Sequence, residues 1–192
     1  MRKSLAVLAL CVLPLCFLSG GCWQSKGSLY RGAGPVQPLR TGKVFSVNPE
    51  DPKARSHAVL TRDAGGAYRL TNADKGTSDF GDAYVLRFFS LAGLPTGVFV
   101  FEAASDDKCK PGNICHPLTE TSDRYYGLVR LTKTGAEVTS PDCDKASAAA
   151  RLPGVKVGDY ATCTFTSRAS LETALKAQAA QSWKVNLTYH YQ

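Results

Sequence analysis

The feature that most constrains this chain is a two-residue alternation of apolar and polar side chains. It is clearest in the last ten residues, WKVNLTYHYQ, where the odd positions from 183 to 191 are apolar or aromatic and the even ones are polar. Because successive side chains of a β-strand point to opposite faces, this segment predicts a strand with one face in the core and one in water. Shorter stretches of similar composition occur at 43–47, 57–62, 67–72, 83–91, 97–103 and 125–132.

Glycine-containing segments join several of these candidate strands. RDAGGA at 62–67 and AGLPTG at 92–97 have the length and composition of hairpin connections. TKTGAEV at 132–138 predicts a further turn. The strands at 83–91 and 97–103 are apolar on both faces, which is typical of the centre of a sheet.

Two segments have helical patterns instead. SPDCDKASAAARL at 140–152 is alanine-rich and begins with residues that favour N-caps. TSRASLETALKAQAAQS at 166–182 can be capped by Thr166 or Ser167 and has an apolar stripe at helical spacing. The stripe consists of Leu171, Ala174, Leu175 and Ala179. We therefore predict a mainly β fold, with α+β as an alternative: a single antiparallel sheet, a sandwich or a small barrel, with two short helices.

The first 21 residues have the three parts of a secretory signal peptide. Arg2 and Lys3 provide a positively charged start, and the 14 residues from Leu5 to Leu18 are apolar and uncharged. Small residues at 19–21 end this run. A helix that spans a membrane needs about 20 apolar residues, so the run is short for a permanent anchor. We predict that residues 1–21 are removed as a signal peptide.

LSGGC at 18–22 resembles the lipobox of bacterial membrane lipoproteins, although its leucine lies one position earlier than in the commonest form. The resemblance implies diacylglycerol in thioether linkage to Cys22, cleavage before this residue, and usually acylation of its amine. Trp23 follows where enterobacterial lipoproteins of the inner membrane have aspartate, which implies the outer membrane. Two or three acyl chains hold a protein stably at a membrane without a spanning segment.

The number of cysteines favours lipidation of Cys22. Cys11 and Cys16 leave with the signal peptide, so five of the seven cysteines remain. A secreted protein with an odd number of cysteines has a free thiol or an intermolecular bond, whereas modification of Cys22 leaves an even number. The alternative is a plain secreted protein with a free Cys22. The four other cysteines are Cys109, Cys115, Cys143 and Cys163.

An oxidising compartment favours two disulfides among these four cysteines. Proximity in the sequence favours Cys109 with Cys115 and Cys143 with Cys163, but four cysteines allow three pairings. His116 follows Cys115, yet the five residues between Cys109 and Cys115 match neither a c-type haem attachment nor the usual spacing of zinc ligands. We expect no cofactor and no metal.

Composition divides the processed chain into two parts. Residues 23–42 contain four glycines and two prolines, so we predict that 22–42 form a lipidated flexible tether and 43–192 a single extracytoplasmic domain. Loss of Arg2 and Lys3 lowers the formal charge from +7 to +5, and the predicted tether holds three of the basic residues. The domain is therefore only mildly basic, which disfavours nucleic acid and favours lipid phosphates or acidic glycans as partners.

Short matches to catalytic motifs lack the residues that usually accompany them. Asp79-Phe80-Gly81 has no other kinase motif, and the Ser-x-x-Lys match at 105–108 lies in a charged loop rather than at a helix start. His57, His116 and His190 are scattered along the chain. We predict no catalytic residues.

The segments YYGLVRL, SPDC and CTFTSRASLETAL are similar to parts of uncharacterised small proteobacterial lipoproteins, a resemblance that implies no activity. Our first hypothesis is a non-catalytic interaction or structural module at the outer membrane, with an envelope protein, glycan or lipid as partner. The alternative is a β-barrel carrier of small molecules or lipids, which needs an unfilled interior lined by Phe88, Phe99 and Phe101. An enzyme would need a cleft that unites a histidine, a carboxylate and a serine.

Overall fold

The strands of this chain join into one sheet that curls until its ends meet. The structure is a computed structural model that describes residues 22–73, 83–105, 122–139, 141, 143, 147–159, 161–181 and 183–192. The strands in these ranges are β1 Cys22–Lys26, β2 Gly42–Asn48, β3 Asp51–Arg62, β4 Tyr68–Asn72, β5 Ala83–Phe89, β6 Val98–Ser105, β7 Asp123–Leu131, β8 Gly135–Thr139, β9 Val155–Val157, β10 Thr162–Phe165 and β11 Leu187–Tyr191. Helix α1 spans Arg168–Ala179, and Ala149–Arg151 form a 3₁₀ turn.

Eight of these strands form a closed barrel. Strands β2 to β8 are antiparallel neighbours in chain order. Strand β11 closes the ring because it pairs with β8 on one side and with β2 on the other. The prediction of a mainly antiparallel β fold is confirmed, and the choice between barrel and sandwich is decided in favour of the barrel.

The barrel wall is apolar on both sides at β5 and β6. Phe88 and Phe101 point into the barrel, whereas Phe89 and Val100 point outward into a second cluster of buried residues. This two-sided burial confirms that β5 and β6 are apolar on both faces; in the closed ring each of the eight strands is paired on both sides, so none is more central than another. Full burial of such a side chain stabilises the fold by roughly 1.5–3 kcal/mol.

A second layer covers the outward apolar patch. Strand β1 pairs with the first half of β7 and, in parallel, with β10, which pairs in turn with β9. Helix α1 contributes Leu171 and Leu175, both fully buried, to the same outer cluster. The helix begins as predicted, because the Ser167 side chain accepts a hydrogen bond from the backbone N–H of Ser170.

The structure differs from the prediction of a short helix at 140–152. Of the segment 140–152, the described residues contain only the 3₁₀ turn Ala149–Arg151, so one α-helix is described instead of two short helices. Pro153 and Gly154 follow closely, and Gly154 has a φ of 73° that ends helical geometry. Residues 140, 142 and 144–146 lie outside the described part of the chain.

Two strand boundaries also differ from those predicted. Residues 132–138, expected to be only a turn, include the start of β8, where Gly135 lets β11 approach closely; a Cβ there would overlap the carbonyl oxygen of Tyr189. The last strand begins at Leu187 rather than at residue 183. Trp183 packs on the outer cluster beneath the Arg130 guanidinium, whereas Leu187 packs against the barrel interior, so the alternation is interrupted between them.

Residues 22–42 are packed against the barrel, which differs from the flexible tether expected. Trp23 is 3% exposed and Tyr30 is 2% exposed, and both belong to the outer cluster. Val36 pairs with Phe88 of β5, to whose carbonyl its N–H donates a hydrogen bond of 2.8 Å. The described fold therefore includes this segment, and the boundary expected at residue 43 is corrected.

The glycines that suggested flexibility in this segment have a conformational role instead. Gly27 and Gly32 adopt φ angles of 73° and 77°, which are unfavourable for residues with a Cβ. They let the chain turn twice within a few residues and bring Tyr30 under α1. A high glycine content indicates turns as well as disorder, and composition does not distinguish the two.

Candidate functional site

The predicted lipid-attachment residue, Cys22, is the first residue of β1. Its backbone is in register with Thr162 of β10, and the next residue, Trp23, is in register with Tyr126 of β7. In the eight-strand ring, β7 lies four strands from β3 in either direction. Strand β1 therefore lies on the side of the barrel opposite β3.

The structure contains one of the two predicted disulfides. Cys143 and Cys163 are bonded, with a Cα–Cα distance of 5.5 Å, and both are fully buried. Cys163 is in register with Trp23 on β1, so the bond lies within the outer cluster. Cys109 and Cys115 lie outside the described residues, and their bond stays a prediction.

A buried carboxylate on β6 attaches the segment after β1 to the barrel wall. Glu102 is 3% exposed, and its Oε2 accepts hydrogen bonds from the hydroxyls of Ser28 at 2.6 Å and Tyr126 at 3.1 Å. Guanidinium nitrogens of Arg124 and Arg87 lie 3.8 and 3.9 Å from its Oε1. Burial of a carboxylate costs several kcal/mol unless it is paired and hydrogen-bonded. Oε2 is hydrogen-bonded and Oε1 lies near two guanidinium groups, which suits a structural role.

Tyr126 connects this cluster to the backbone of the N-terminal segment. Its hydroxyl accepts a 3.0 Å hydrogen bond from the N–H of Leu29 and lies 3.0 Å from the Ser25 hydroxyl. Burial, and then the charge of Glu102, raise the pKa of the Tyr126 phenol above its usual value. The phenol is therefore neutral at physiological pH and acts as a hydrogen-bonding group.

An apolar cavity of about 40 Å³, partly open to solvent, lies within the barrel. Phe88 and Phe101 line it as expected for a carrier, but Phe99 is not among the lining residues; Tyr189 and Tyr191 are. A cavity needs roughly 10–15 Å³ to hold one water molecule, and a cavity of about 150 Å³ is known to hold benzene. In this conformation the cavity is too small for a lipid.

One end of the barrel is covered by residues 33–41, here named the strap. Leu39 lines the cavity, and its backbone forms two hydrogen bonds with the Tyr68 hydroxyl: the N–H donates at 3.1 Å and the carbonyl accepts at 2.9 Å. The N–H of Arg40 donates to the Tyr191 hydroxyl at 3.1 Å. Enlargement of the cavity at this end would require the strap to move.

The outer surface of β2, β3, β4 and β11 carries a group of residues that we name the cationic face. Phe45 is in register with His57 on β3 and with His190 on β11. Its ring centroid lies 6.4 Å from that of His57 and 4.9 Å from that of His190, which is stacked at 19°. The Arg55 guanidinium lies 5.0 Å from the Phe45 ring centroid. The cationic face consists of Lys43, Phe45, Arg55, His57, Arg69 and His190.

The described residues include no group of three or more histidine, cysteine, aspartate or glutamate side chains suited to hold a metal ion. Within the same ranges, no helix combines the length and apolarity needed to cross a membrane. His116, Asp79-Phe80-Gly81 and residues 106–108 lie outside the described ranges.

Comparison with known proteins finds no match to a protein-family model, to a curated protein or to a solved structure. The sequence around Cys22 and the geometry of the barrel are therefore the basis for a function.

Two features of the site were not predicted from the sequence, and only the first has a signal there. The carboxylate of Glu102 interrupts the apolar run GVFVFEA, and a charge inside a central strand indicates a buried partner. The two histidines looked scattered, yet His57 and His190 contact the same ring. Only the pairing of β2 with both β3 and β11 brings them together.

Proposed function

We propose that this chain is a lipid-anchored protein of the bacterial cell envelope whose barrel serves as a non-catalytic interaction module. The observation that carries the proposal is that β1 begins at Cys22 and joins the sheet directly, with Trp23 buried. Acyl chains on Cys22 would then hold the barrel at the bilayer surface rather than at the end of a long tether. Such an anchor restricts which side of the barrel faces outward.

The physical basis of the anchor is the burial of fatty acyl chains. Each buried methylene contributes about 0.8 kcal/mol, so two or three chains keep a soluble domain at a membrane stably. Strand β1 lies on the β7 side of the barrel, which would therefore face the bilayer. The β3 side would face away. Trp23 after the modified cysteine favours the outer membrane for this proposal.

The proposal predicts that Cys22→Ser releases the protein from membranes. The variant lacks the sulfur that receives diacylglycerol, so we expect nearly all of the protein to shift from the membrane fraction to the soluble or unprocessed pool. The measurement is fractionation of a bacterial expression host, followed by intact mass of the processed chain. Cys11→Ser is the matched control, because that cysteine leaves with the signal peptide. A processed wild-type chain whose mass includes no fatty substituent would contradict the proposal.

A second candidate, a carrier of small apolar molecules, is favoured by the apolar cavity beneath the strap. Leu39→Ala should enlarge this cavity toward the size that holds benzene, and it should increase the affinity for benzene, measured by titration calorimetry, at least threefold. Leu94→Ala, which alters a partly buried leucine of the outer cluster, is the matched control. Binding that is absent in the wild type and unchanged by Leu39→Ala would rule out the barrel interior as the binding site.

A further inference from the structure

We infer that the cationic face binds an acidic polysaccharide. The inference deepens the proposed function, on which it depends for the extracytoplasmic compartment and for the orientation of the barrel. It names the surface and the partner class of the interaction module. The face lies on β2, β3, β4 and β11, around the strand that is farthest from β7 in the ring.

Charge is the first observation that supports this partner. Strands β2, β4 and β11 contain no aspartate or glutamate, and β3 contains only Asp51, its first residue. Lys43 and Arg55 are exposed on adjacent strands, and Arg69 lies on the next strand. Neighbouring strands are about 4.8 Å apart. Strand register places Lys43 opposite Val59, and Arg69 opposite Thr61, so Arg55, Lys43 and Arg69 form a row in which neighbouring cations are roughly 12–15 Å apart. An extended polyanion can span such a row, whereas a small anion cannot.

The Phe45 ring is the second observation. It is half-buried: the His190 ring stacks on it at an interplanar angle of 19°, the His57 ring is tilted against it, and the Arg55 guanidinium lies 5.0 Å from its centroid. Stacked aromatic rings beside cations offer packing for the apolar face of a sugar ring together with ion pairing for its acidic groups. Isolated anions would use only the cations. The combination favours an acidic glycan over a simple ion.

The position of the cationic face relative to β1 is the third observation, and it favours a glycan over a lipid surface as the partner. Strand β1 packs beside β7, so the acyl chains proposed for Cys22 and the cationic face lie on opposite sides of the barrel. Phospholipid headgroups of the anchoring bilayer could not reach the face while β1 stays paired. A polymer that extends away from the membrane can reach it. The geometry thus allows the protein to connect a bilayer to an anionic polysaccharide.

The test measures binding of the processed full chain, in zwitterionic detergent micelles, to polygalacturonate, with neutral dextran as the uncharged probe. The double variant Lys43→Gln/Arg55→Gln should weaken binding at least tenfold. Lys156→Gln/Lys176→Gln removes the same net charge from exposed positions of β9 and α1, and it should change binding less than twofold. Phe45→Leu should weaken binding severalfold with all charges kept. Binding should also decrease steeply with added salt.

Three results would overturn the inference: no binding of the wild type to polygalacturonate, equal weakening by both double variants, or equal binding to dextran. Vesicles of anionic phospholipid form a further arm. If they bind through Lys43 and Arg55 while polygalacturonate does not, the face recognises a lipid surface instead, and the inference is wrong. The intact mass of the same sample shows separately whether Cys22 is lipidated. If it is not, the polysaccharide measurement still decides whether the cationic face binds a glycan.

Discussion

Replacement of Trp23 by alanine is expected to lower the free energy of unfolding by about 4 kcal/mol, within the range of large-to-small changes in a core. Trp23 is 3% exposed, and its ring centroid lies 5.2 Å from that of Phe165 on β10. Its removal leaves a cavity between the barrel wall and the outer layer. If residues 22–42 were a flexible tether, the same change would alter stability by less than about 0.5 kcal/mol.

Trp23→Phe is the matched control for this prediction. The indole Nε1 of Trp23 is buried with no hydrogen-bond partner among the described residues, so phenylalanine removes an unpaired donor while it keeps most of the ring. We expect a change of roughly 1 kcal/mol or less. The measurement is denaturant unfolding of the processed chain, followed by circular dichroism. Equal, small effects of both variants would show that the segment does not pack in solution.

Loss of the Cys143–Cys163 bond is expected to lower the free energy of unfolding by about 3 kcal/mol. The bond joins residues 20 positions apart, and it connects the chain after β8 to β10 next to Trp23. Without it, the unfolded chain gains conformational freedom, and the outer layer is no longer covalently attached. The test is denaturant unfolding of Cys143→Ser/Cys163→Ser.

Reductant provides the control for the disulfide prediction and also tests the second pair. Reduction of the wild type should lower the free energy of unfolding at least as much as the double variant does. If Cys109 and Cys115 are bonded, reductant should destabilise the double variant further. A double variant that is as stable as the oxidised wild type would contradict the contribution of the Cys143–Cys163 bond.

The proposed anchor and the packed segment 22–42 have a joint consequence for the interaction module. A flexible tether of about 20 residues would let the domain rotate freely above the membrane. Integration of β1 into the sheet would instead keep one side of the barrel toward the bilayer and direct the cationic face outward. Orientation, rather than reach, would then be the property that the N-terminal segment provides.

The alternating and helical patterns were sufficient to predict most strands, the direction of their side chains and the cap of α1. Leu187, Tyr189 and Tyr191 pack against the barrel interior, as their alternation indicated, and Ser167 caps the helix. These features depend on residues within a few positions of one another, so they can be recognised in the sequence alone. The pattern of a signal peptide and lipobox at residues 1–22 also depends only on neighbouring residues, and the prediction of a lipid anchor depends on this pattern.

Only the tertiary structure decided how these pieces combine. Closure of the barrel depends on hydrogen bonds between β11 and β2, which lie near opposite ends of the described chain. Residues 22–42 are ordered because Trp23 packs in the outer cluster beside β10. The contact of His57 and His190 with Phe45 depends on strand register. Local periodicity determines which side of a strand is apolar, whereas the free energy of contacts between distant segments determines which strands meet.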